Sequence, residues 1–337
     1  MILTQINNKK IFISVLLCCY NDEKYISSSI DSVLNQSYKN FEFIIVDDAS
    51  NEKTKNILAK YKKNNKIKII SNKVNLGLTK SLNIGINNCS SEWIARIDSD
   101  DIWYKDKLIN QINIYQINKY VLISTAWKKI DKNGDVISTE FTNQNKIKHN
   151  ILKLKPVISH STVLFKKTIA IKAGLYRERL LSCQDLDLWK RLVNYGEVAY
   201  INEPLSKIRI HNDQITNLKR KDQILFSILI NLSNQFYNKY KIDLIDDLDQ
   251  KSFTNLIKNL KIILNSRKYF ISRLNFEKNK TKYIYSRNFF LKKIYLIKLL
   301  FSNLYYIFNF IIFKKKFYKF LIKKISQVSK INYETKN

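Results

Sequence analysis

Three aspartates, Asp98, Asp100 and Asp101, lie within four residues, between an apolar run and Ile102-Trp103. Carboxylates this close oppose one another's ionisation unless a positive charge lies among them. A divalent cation that carries a substrate diphosphate meets this need, because Mg²⁺ takes one or two carboxylates and leaves sites for phosphate oxygens. The alternative is an acidic turn ahead of a helix, and the cluster alone does not separate the two interpretations.

Strands and helices alternate along the first hundred residues. The runs 11–17, 41–46, 67–70 and 93–97 are apolar, and apolar residues at helical spacing lie between them. This order predicts βαβ units and a mainly parallel sheet with right-handed crossovers. Asp47-Asp48 and the aspartate cluster each follow a strand, and parallel strands end at the same edge. Their carboxylates can therefore converge, which favours a ligand site over a capping turn.

Composition sets bounds on the class of protein. The formal net charge of +31 favours an anionic partner, namely nucleic acid, a membrane surface or a phosphorylated substrate. Abundant Lys, Ile, Asn and Tyr, with only 5 Gly and 2 Pro, indicate a chain-wide bias that weakens this inference. A hydrophobic content of 45% excludes wholesale disorder. Four cysteines without metal-ligand spacing favour a reducing, cytosolic setting.

Four motifs give the chain a family resemblance. They occupy residues 14–21, 46–50, 75–77 and 95–101, and they include Tyr20-Asn21, Asp47-Asp48 and Asn75-x-Gly77. In order and spacing they resemble the family 2 glycosyltransferases over residues 11–215. The resemblance implies an α/β, Rossmann-like GT-A fold, with a mainly parallel central sheet flanked by helices. It also implies inverting transfer from a nucleotide-diphosphate sugar. We expect a GT-A domain at 1–217 and a helical, lysine-rich C-terminal extension at 218–337.

The resemblance implies roles for the residues of the donor site. Tyr20 and Asp48 would line the nucleoside pocket. Asp98, Asp100 and Asp101 match the D-x-D motif that holds Mn²⁺ or Mg²⁺ on the diphosphate.

Other positions leave alternatives open. Many family members carry arginine where this chain has Leu82, so Lys80 or Arg96 is expected to supply a cation to the diphosphate. Either side chain could equally be solvated. His160 could contact donor or acceptor, and a structural histidine is the alternative.

The catalytic base is expected at the start of a helix near Gln184. By resemblance Asp185 matches the base, although Gln184 replaces the family's glutamate, and Asp187 is the second choice. A helix dipole favours a charged carboxylate in the first turn, so Asp185 could instead be only a cap. Further along, Arg209 and His211 match the family's R-x-H-x-x-Q ending. Arg209 is expected on phosphate oxygens. His211 is expected at the donor or metal, with a structural role as the alternative.

The tail contains a 20-residue apolar stretch at 294–313, bracketed by lysines. Its length permits a membrane span. Lys298, Ser302, Tyr305 and Asn309 fall on one helical stripe, which favours a helix in the interface of an anionic membrane. Packing on its own domain is the alternative.

The sequence thus predicts a metal-dependent inverting glycosyltransferase, cytoplasmic and peripheral on the inner face of the cell membrane. The donor is expected to be a UDP-sugar, and the acceptor a glycan or glycolipid of a surface polysaccharide such as lipopolysaccharide or capsule. Gln184 and Leu82 prompt one alternative, a non-catalytic membrane-bound scaffold with a degenerate transferase domain. The basic charge prompts another, a nucleic-acid-binding protein. No recognised nucleic-acid motif accompanies that charge, so nucleic acid is not expected as a partner.

Overall fold

A computed structural model describes residues 11–114, 117–211 and 220–265. The chain divides into two units, Met1–Lys219 and Arg220–Asn337. The boundary that we expect from the sequence, with one domain at 1–217 and an extension at 218–337, stays a proposal.

The first half of unit one consists of βαβ repeats, as predicted. Strands β1 to β4 pair in parallel in the order β3-β2-β1-β4. Their bounds are Ile13–Cys19, Phe41–Asp47, Ile67–Ser71 and Trp93–Asp98, and the intervening helices are α1 (Ile26–Leu34), α2 (Glu52–Tyr61) and α3 (Leu78–Asn88).

The second half extends the same sheet with mixed pairing. The strands are β5 (Ile102–Trp103), β6 (Tyr120–Ile130), β7 (Val136–Glu140), β8 (Leu164–Lys166) and β9 (Glu197–Arg209), and the helices are α4 (Lys107–Ile112), α5 (Ile147–Leu152), α6 (Lys167–Lys172) and α7 (Gln184–Leu192). Antiparallel β8 joins β4 to β6, and β9 runs parallel to β6. A hairpin turn at 131–135 connects β6 to β7.

Each face of the sheet has its own hydrophobic core. Because all seven residues of β1 are buried, alternate side chains enter opposite cores. Leu16 packs with residues of α3 and α7, whereas Val15 and Leu17 pack with α1. Burying an aliphatic side chain contributes about 1.5–3 kcal/mol. Gly85 lets α3 approach β1 closely, since a Cβ there would lie 2.2 Å from Leu16 Cδ1.

The second unit is helical where it is described. It contains α8 (Arg220–Tyr240) and α9 (Gln250–Asn265). Leu229, Phe236 and Leu260 are among its buried side chains. Within the described residues, no helix has the length and apolarity needed to cross a membrane. The stretch 294–313 lies outside the described residues.

Candidate active site

The aspartate cluster follows β4 at the carboxyl edge of the sheet, and Asp98 is its first member. Arg96 Nη2 lies 2.5 Å from Asp98 Oδ1, and Ser161 Oγ lies 3.2 Å from Oδ2. Burial raises the pKa of Asp98, but the charge of Arg96 and the hydrogen bond from Ser161 outweigh it, so the pKa lies below its usual value. Asp98 is therefore held as an oriented carboxylate.

Asp100 pairs with His211 from the end of the domain. Their Oδ2 and Nε2 atoms are 3.0 Å apart, and both side chains are partly exposed, at 17% and 15%. The ring of Tyr25 lies beside His211, and the guanidinium of Arg209 stacks 4.4 Å from the centre of the Tyr25 ring. No sequence signal pointed to Tyr25, because its role depends on residues almost two hundred positions away.

Asp101 is the interior member of the cluster. Its side chain is buried, Oδ1 accepts the Arg209 backbone N–H at 2.9 Å, and Oδ2 accepts the Ser161 hydroxyl at 2.5 Å. Burial, followed by the charges of Asp100 and Asp98, raises its pKa well above the usual value. These contacts argue against Asp101 as a direct metal ligand and give it a loop-anchoring position instead.

The two arginines of the sequence prediction, Arg96 and Arg209, donate hydrogen bonds to groups of the protein. Arg96 is fully buried, and its Nε and Nη1 atoms have no hydrogen-bond partner among the described residues. Arg209 donates from Nε to the Asp100 carbonyl, and from Nη1 to the carbonyls of Asp131 and Lys132. Both guanidinium groups are thus engaged within the protein, and phosphate binding by Arg96 or Arg209 stays a prediction.

Asp48 organises the part of this edge where β2 ends. Its carboxylate is buried and accepts hydrogen bonds from Asn72 Nδ2, Leu76 N and Gly77 N, each at 2.8 Å. The loop 72–77 is thus tied to the end of β2. Tyr20, at the end of β1, is 49% exposed and free to face a ligand.

The positions of Lys80 and Leu82 differ along α3. Lys80 is exposed in the first turn of α3, which leaves its ammonium group accessible. Leu82 is fully buried in the core with Leu16. It is a packing residue and supplies nothing to the site.

Asp185 is the second residue of α7 and is half-buried. Burial raises its pKa, the Leu186 backbone N–H lowers it, and the charge of Asp98 raises it further, so the net shift is upward. A carboxylate with a raised pKa is a better proton acceptor, because its pKa lies closer to neutral pH. The environment of Asp185 therefore suits a general base.

Asp187 has a different environment on the same helix. It is buried, with Oδ2 at 3.0 Å from Arg177 Nε and 2.7 Å from Arg191 Nη2. Both its oxygens are used in ion pairs. This geometry argues against Asp187, our second choice for the base, and makes it an anchor of α7.

His160 is buried inside the protein beside Asp98. Its Nε2 is 2.8 Å from Tyr176 Oη, and its Nδ1 is 4.0 Å from Asp98 Oδ1. Burial and then the charge of Arg96 lower its pKa to about 3, so the ring is neutral. The contacts with Tyr176, Asp98 and Trp189 favour the structural alternative over direct contact with substrate.

Asp22 and Ser161 also belong to this edge, although the sequence did not single them out. Asp22 Oδ2 accepts the Ser99 hydroxyl at 2.6 Å, and burial raises its pKa. Ser161 connects Asp98 and Asp101. Among the described residues, no group of three or more His, Cys, Asp or Glu side chains is arranged to hold a metal ion.

Comparison with known proteins decides the family. Residues 14–174 match Glycosyl transferase family 2. An uncharacterised glycosyltransferase of Haemophilus influenzae is 32% identical over 249 residues, which cover 69% of this chain and 76% of that protein. The chain belongs to glycosyltransferase family 2. The O-antigen biosynthesis glycosyltransferase WbnJ of Escherichia coli is 34% identical over 206 residues, which cover 59% of this chain and 80% of WbnJ. Some relatives are longer, and the chain spans 44% of a 29% identical Rickettsia conorii glycosyltransferase.

Solved structures confirm the GT-A prediction. Staphylococcus aureus TarS 1–349 in complex with UDP-GlcNAc has a TM-score of 0.54 at 16% identity and covers 87% of this chain and 89% of TarS 1–349. Mannosyltransferase PcManGT from Pyrobaculum calidifontis, in complex with GDP-Man and Mn²⁺, has a TM-score of 0.51 at 14% identity, with 88% of each chain covered. At such low identity these likenesses establish the fold alone. Their mainly parallel sheet flanked by helices is the fold of this family 2 member.

Proposed function

We propose that this glycosyltransferase is an inverting enzyme that moves a sugar from a UDP-sugar to an acceptor hydroxyl. The observation that carries the proposal is the difference between two carboxylate environments. Asp100 is partly exposed beside His211, whereas Asp185 is half-buried with a raised pKa. The first environment suits a cation on a diphosphate and the second suits proton removal. The UDP-GlcNAc complex of TarS supports the choice of donor.

Asp100 and His211 are the residues that we propose for the metal, Mn²⁺ or Mg²⁺. Their oxygen and nitrogen atoms converge to 3.0 Å and remain partly exposed, so a cation could take both and keep sites for phosphate oxygens. When bound, the metal would act as a Lewis acid that neutralises the leaving diphosphate. The Mn²⁺ complex of PcManGT supports this assignment.

Asp185 would accept the proton of the acceptor hydroxyl as its oxygen attacks the anomeric carbon. The bond from that carbon to the diphosphate oxygen breaks, and UDP leaves with the electron pair. Because the attack comes from the face opposite the nucleotide, the anomeric configuration inverts. The ion pairs of Asp187 with Arg177 and Arg191 fix the helix that carries the base.

The donor pocket would lie at the ends of β1 to β3. The exposed ring of Tyr20 can stack on the nucleobase, and Asp48 shapes the pocket by holding the loop 72–77. Lys80 is the cation that we retain for the diphosphate, because its side chain is exposed near the start of α3.

The similarity to WbnJ supports a surface glycan, such as lipopolysaccharide or capsule, as the product. A lipid-carried acceptor would place the enzyme on the inner face of the cell membrane. The lysines and apolar residues of 218–337 would then hold the GT-A domain beside its acceptor.

A screen of nucleotide sugars for release of the nucleoside diphosphate tests the proposal. We expect UDP release from one or a few UDP-sugars with Mn²⁺ or Mg²⁺, and loss of this release with EDTA. Absence of UDP release together with absence of UDP binding would favour the non-catalytic scaffold. Salt-sensitive retention on DNA without UDP binding would favour the nucleic-acid alternative.

A further inference from the structure

Helix α3 begins at the donor loop. Asp48 Oδ1 accepts the Leu76 N–H and Oδ2 accepts the Gly77 N–H, both at 2.8 Å. Gly77 is the N-cap residue and has φ +85°, a conformation that favours glycine. The start of α3 is therefore fixed to the residue that we place in the nucleoside pocket.

The same helix is hydrogen-bonded to the segment that precedes the base. Asn83 Nδ2 donates to the Tyr176 carbonyl at 2.8 Å, and the Tyr176 N–H donates to Asn83 Oδ1 at 3.0 Å. One turn earlier, Thr79 Oγ1 donates to the Leu180 carbonyl at 3.0 Å. All four residues are buried, and Thr79 and Asn83, spaced by four, share one face of the helix.

The segment 176–183 leads directly into α7. Cys183, the N-cap residue of α7, has φ +60° and makes no side-chain cap hydrogen bond. A left-handed conformation at a non-glycine residue is costly and persists only where the surroundings impose it. Contacts made upstream of Cys183 therefore help to determine where α7 begins, and with it the position of Asp185.

We propose that Asn83 is a positioning residue that couples the donor loop to the catalytic base. Thr79 adds a second hydrogen bond from α3 to the same segment. This inference rests on the proposed function, because it takes Asp48 as part of the donor site and Asp185 as the base. Donor binding at the ends of β2 and β3 would further restrict the start of α3, which Asp48 already holds. Through Asn83 and Tyr176, the helix then holds the segment 176–183 and places Asp185 against the acceptor hydroxyl.

Kinetics of Asn83→Ala test the positioning role. Misplacement of a reacting group by about 1 Å can cost about 10²-fold in rate, so we expect kcat to fall to this extent with little change in UDP affinity. Asn83→Asp keeps the acceptor for the Tyr176 N–H, so its kcat should fall less than that of Asn83→Ala. Thr79→Val should lower kcat and Thr79→Ser should restore it. Asn88→Ala is the matched control, since Asn88 lies on α3 and bonds to Ile84 and Lys68.

Hydrogen–deuterium exchange with UDP and Mn²⁺ tests the coupling without catalysis. In the wild-type protein we expect UDP to slow exchange in both 72–77 and 176–187. In Asn83→Ala the protection of 72–77 should remain and that of 176–187 should be lost. Protection of 72–77 alone in the wild type, or unchanged kcat in both Asn83 variants, would overturn the inference. No protection of either segment would contradict the donor site itself, and the inference with it.

Discussion

Aspartates around one sheet edge differ because their neighbours differ. Asp98 is stabilised as a carboxylate by Arg96, whereas Asp101 is buried with a Ser161 hydroxyl and a backbone N–H as partners. Asp100 is partly exposed, and its Oδ2 lies 3.0 Å from Nε2 of the His211 imidazole. A motif that looks uniform in sequence thus separates into an oriented carboxylate, a metal-ligand candidate and an anchor.

Because their environments differ, we predict that substituting Asp100 lowers ligand affinity, whereas substituting Asp101 lowers stability. Asp100→Ala should abolish the Mn²⁺-dependent part of UDP affinity and leave the free energy of unfolding nearly unchanged. Asp101→Ala should cost about 1–3 kcal/mol of stability, because the buried Arg209 N–H loses its acceptor and the Ser161 hydroxyl keeps only the longer contact with Asp98. Titration calorimetry and urea unfolding measure the two effects, with exposed Asp106→Ala as control. Undiminished Mn²⁺-dependent affinity in Asp100→Ala would refute the metal assignment.

Helix α7 shows how an element would fix the base that we propose, Asp185. Leu188, Trp189 and Leu192 bury one side of it in the core shared with α3. Asp187 adds ion pairs to Arg177, which precedes the helix, and to Arg191, one turn later. Apolar packing and ion pairs therefore hold the same short helix in place. Asp185 lies at the more exposed end of that helix.

Asp187→Asn should destabilise the protein strongly. Its loss would leave Arg177 buried without its carboxylate, and breaking a buried pair typically costs about 3–5 kcal/mol. Glu52→Gln is the control, because Glu52 forms an exposed pair with Lys55 on α2 and such pairs contribute about 0–1 kcal/mol. Urea denaturation followed by circular dichroism measures both. Equal free energies of unfolding for the two variants would show that the Asp187 ion pairs are not a structural anchor.

Across the whole molecule, the part that sequence could predict is the first hundred residues, where apolar runs and helical spacing were sufficient to predict the alternating elements. They also predicted that acidic residues meet at one edge. The sequence could not show which carboxylates face a ligand, because that depends on distant partners. Ser161 lies 60 positions from Asp101, and the Arg209 N–H lies 108 positions from it. The mixed pairing of β8 and β9 escaped prediction because β8 has only three residues.

The membrane proposal is tested on the full-length chain. Replacing the lysines at 314–316 with glutamine should weaken binding to anionic vesicles, since each lysine near such a surface contributes about 1 kcal/mol. Glutamine at Lys60, Lys62 and Lys63, which are exposed around the end of α2, is the matched control. Co-sedimentation at low and high salt measures the binding. A wild-type chain that never sediments would contradict membrane association.

The assignment of Asp185 as general base is tested most directly by Asp185→Asn, with the donor that the nucleotide-sugar screen identifies. The carboxylate is needed when the acceptor hydroxyl loses its proton, and general-base catalysis contributes about 10²–10⁴-fold. We therefore predict a turnover lower by this factor, with the UDP and Mn²⁺ affinity of the wild type. Near-normal transfer by Asp185→Asn would contradict the account.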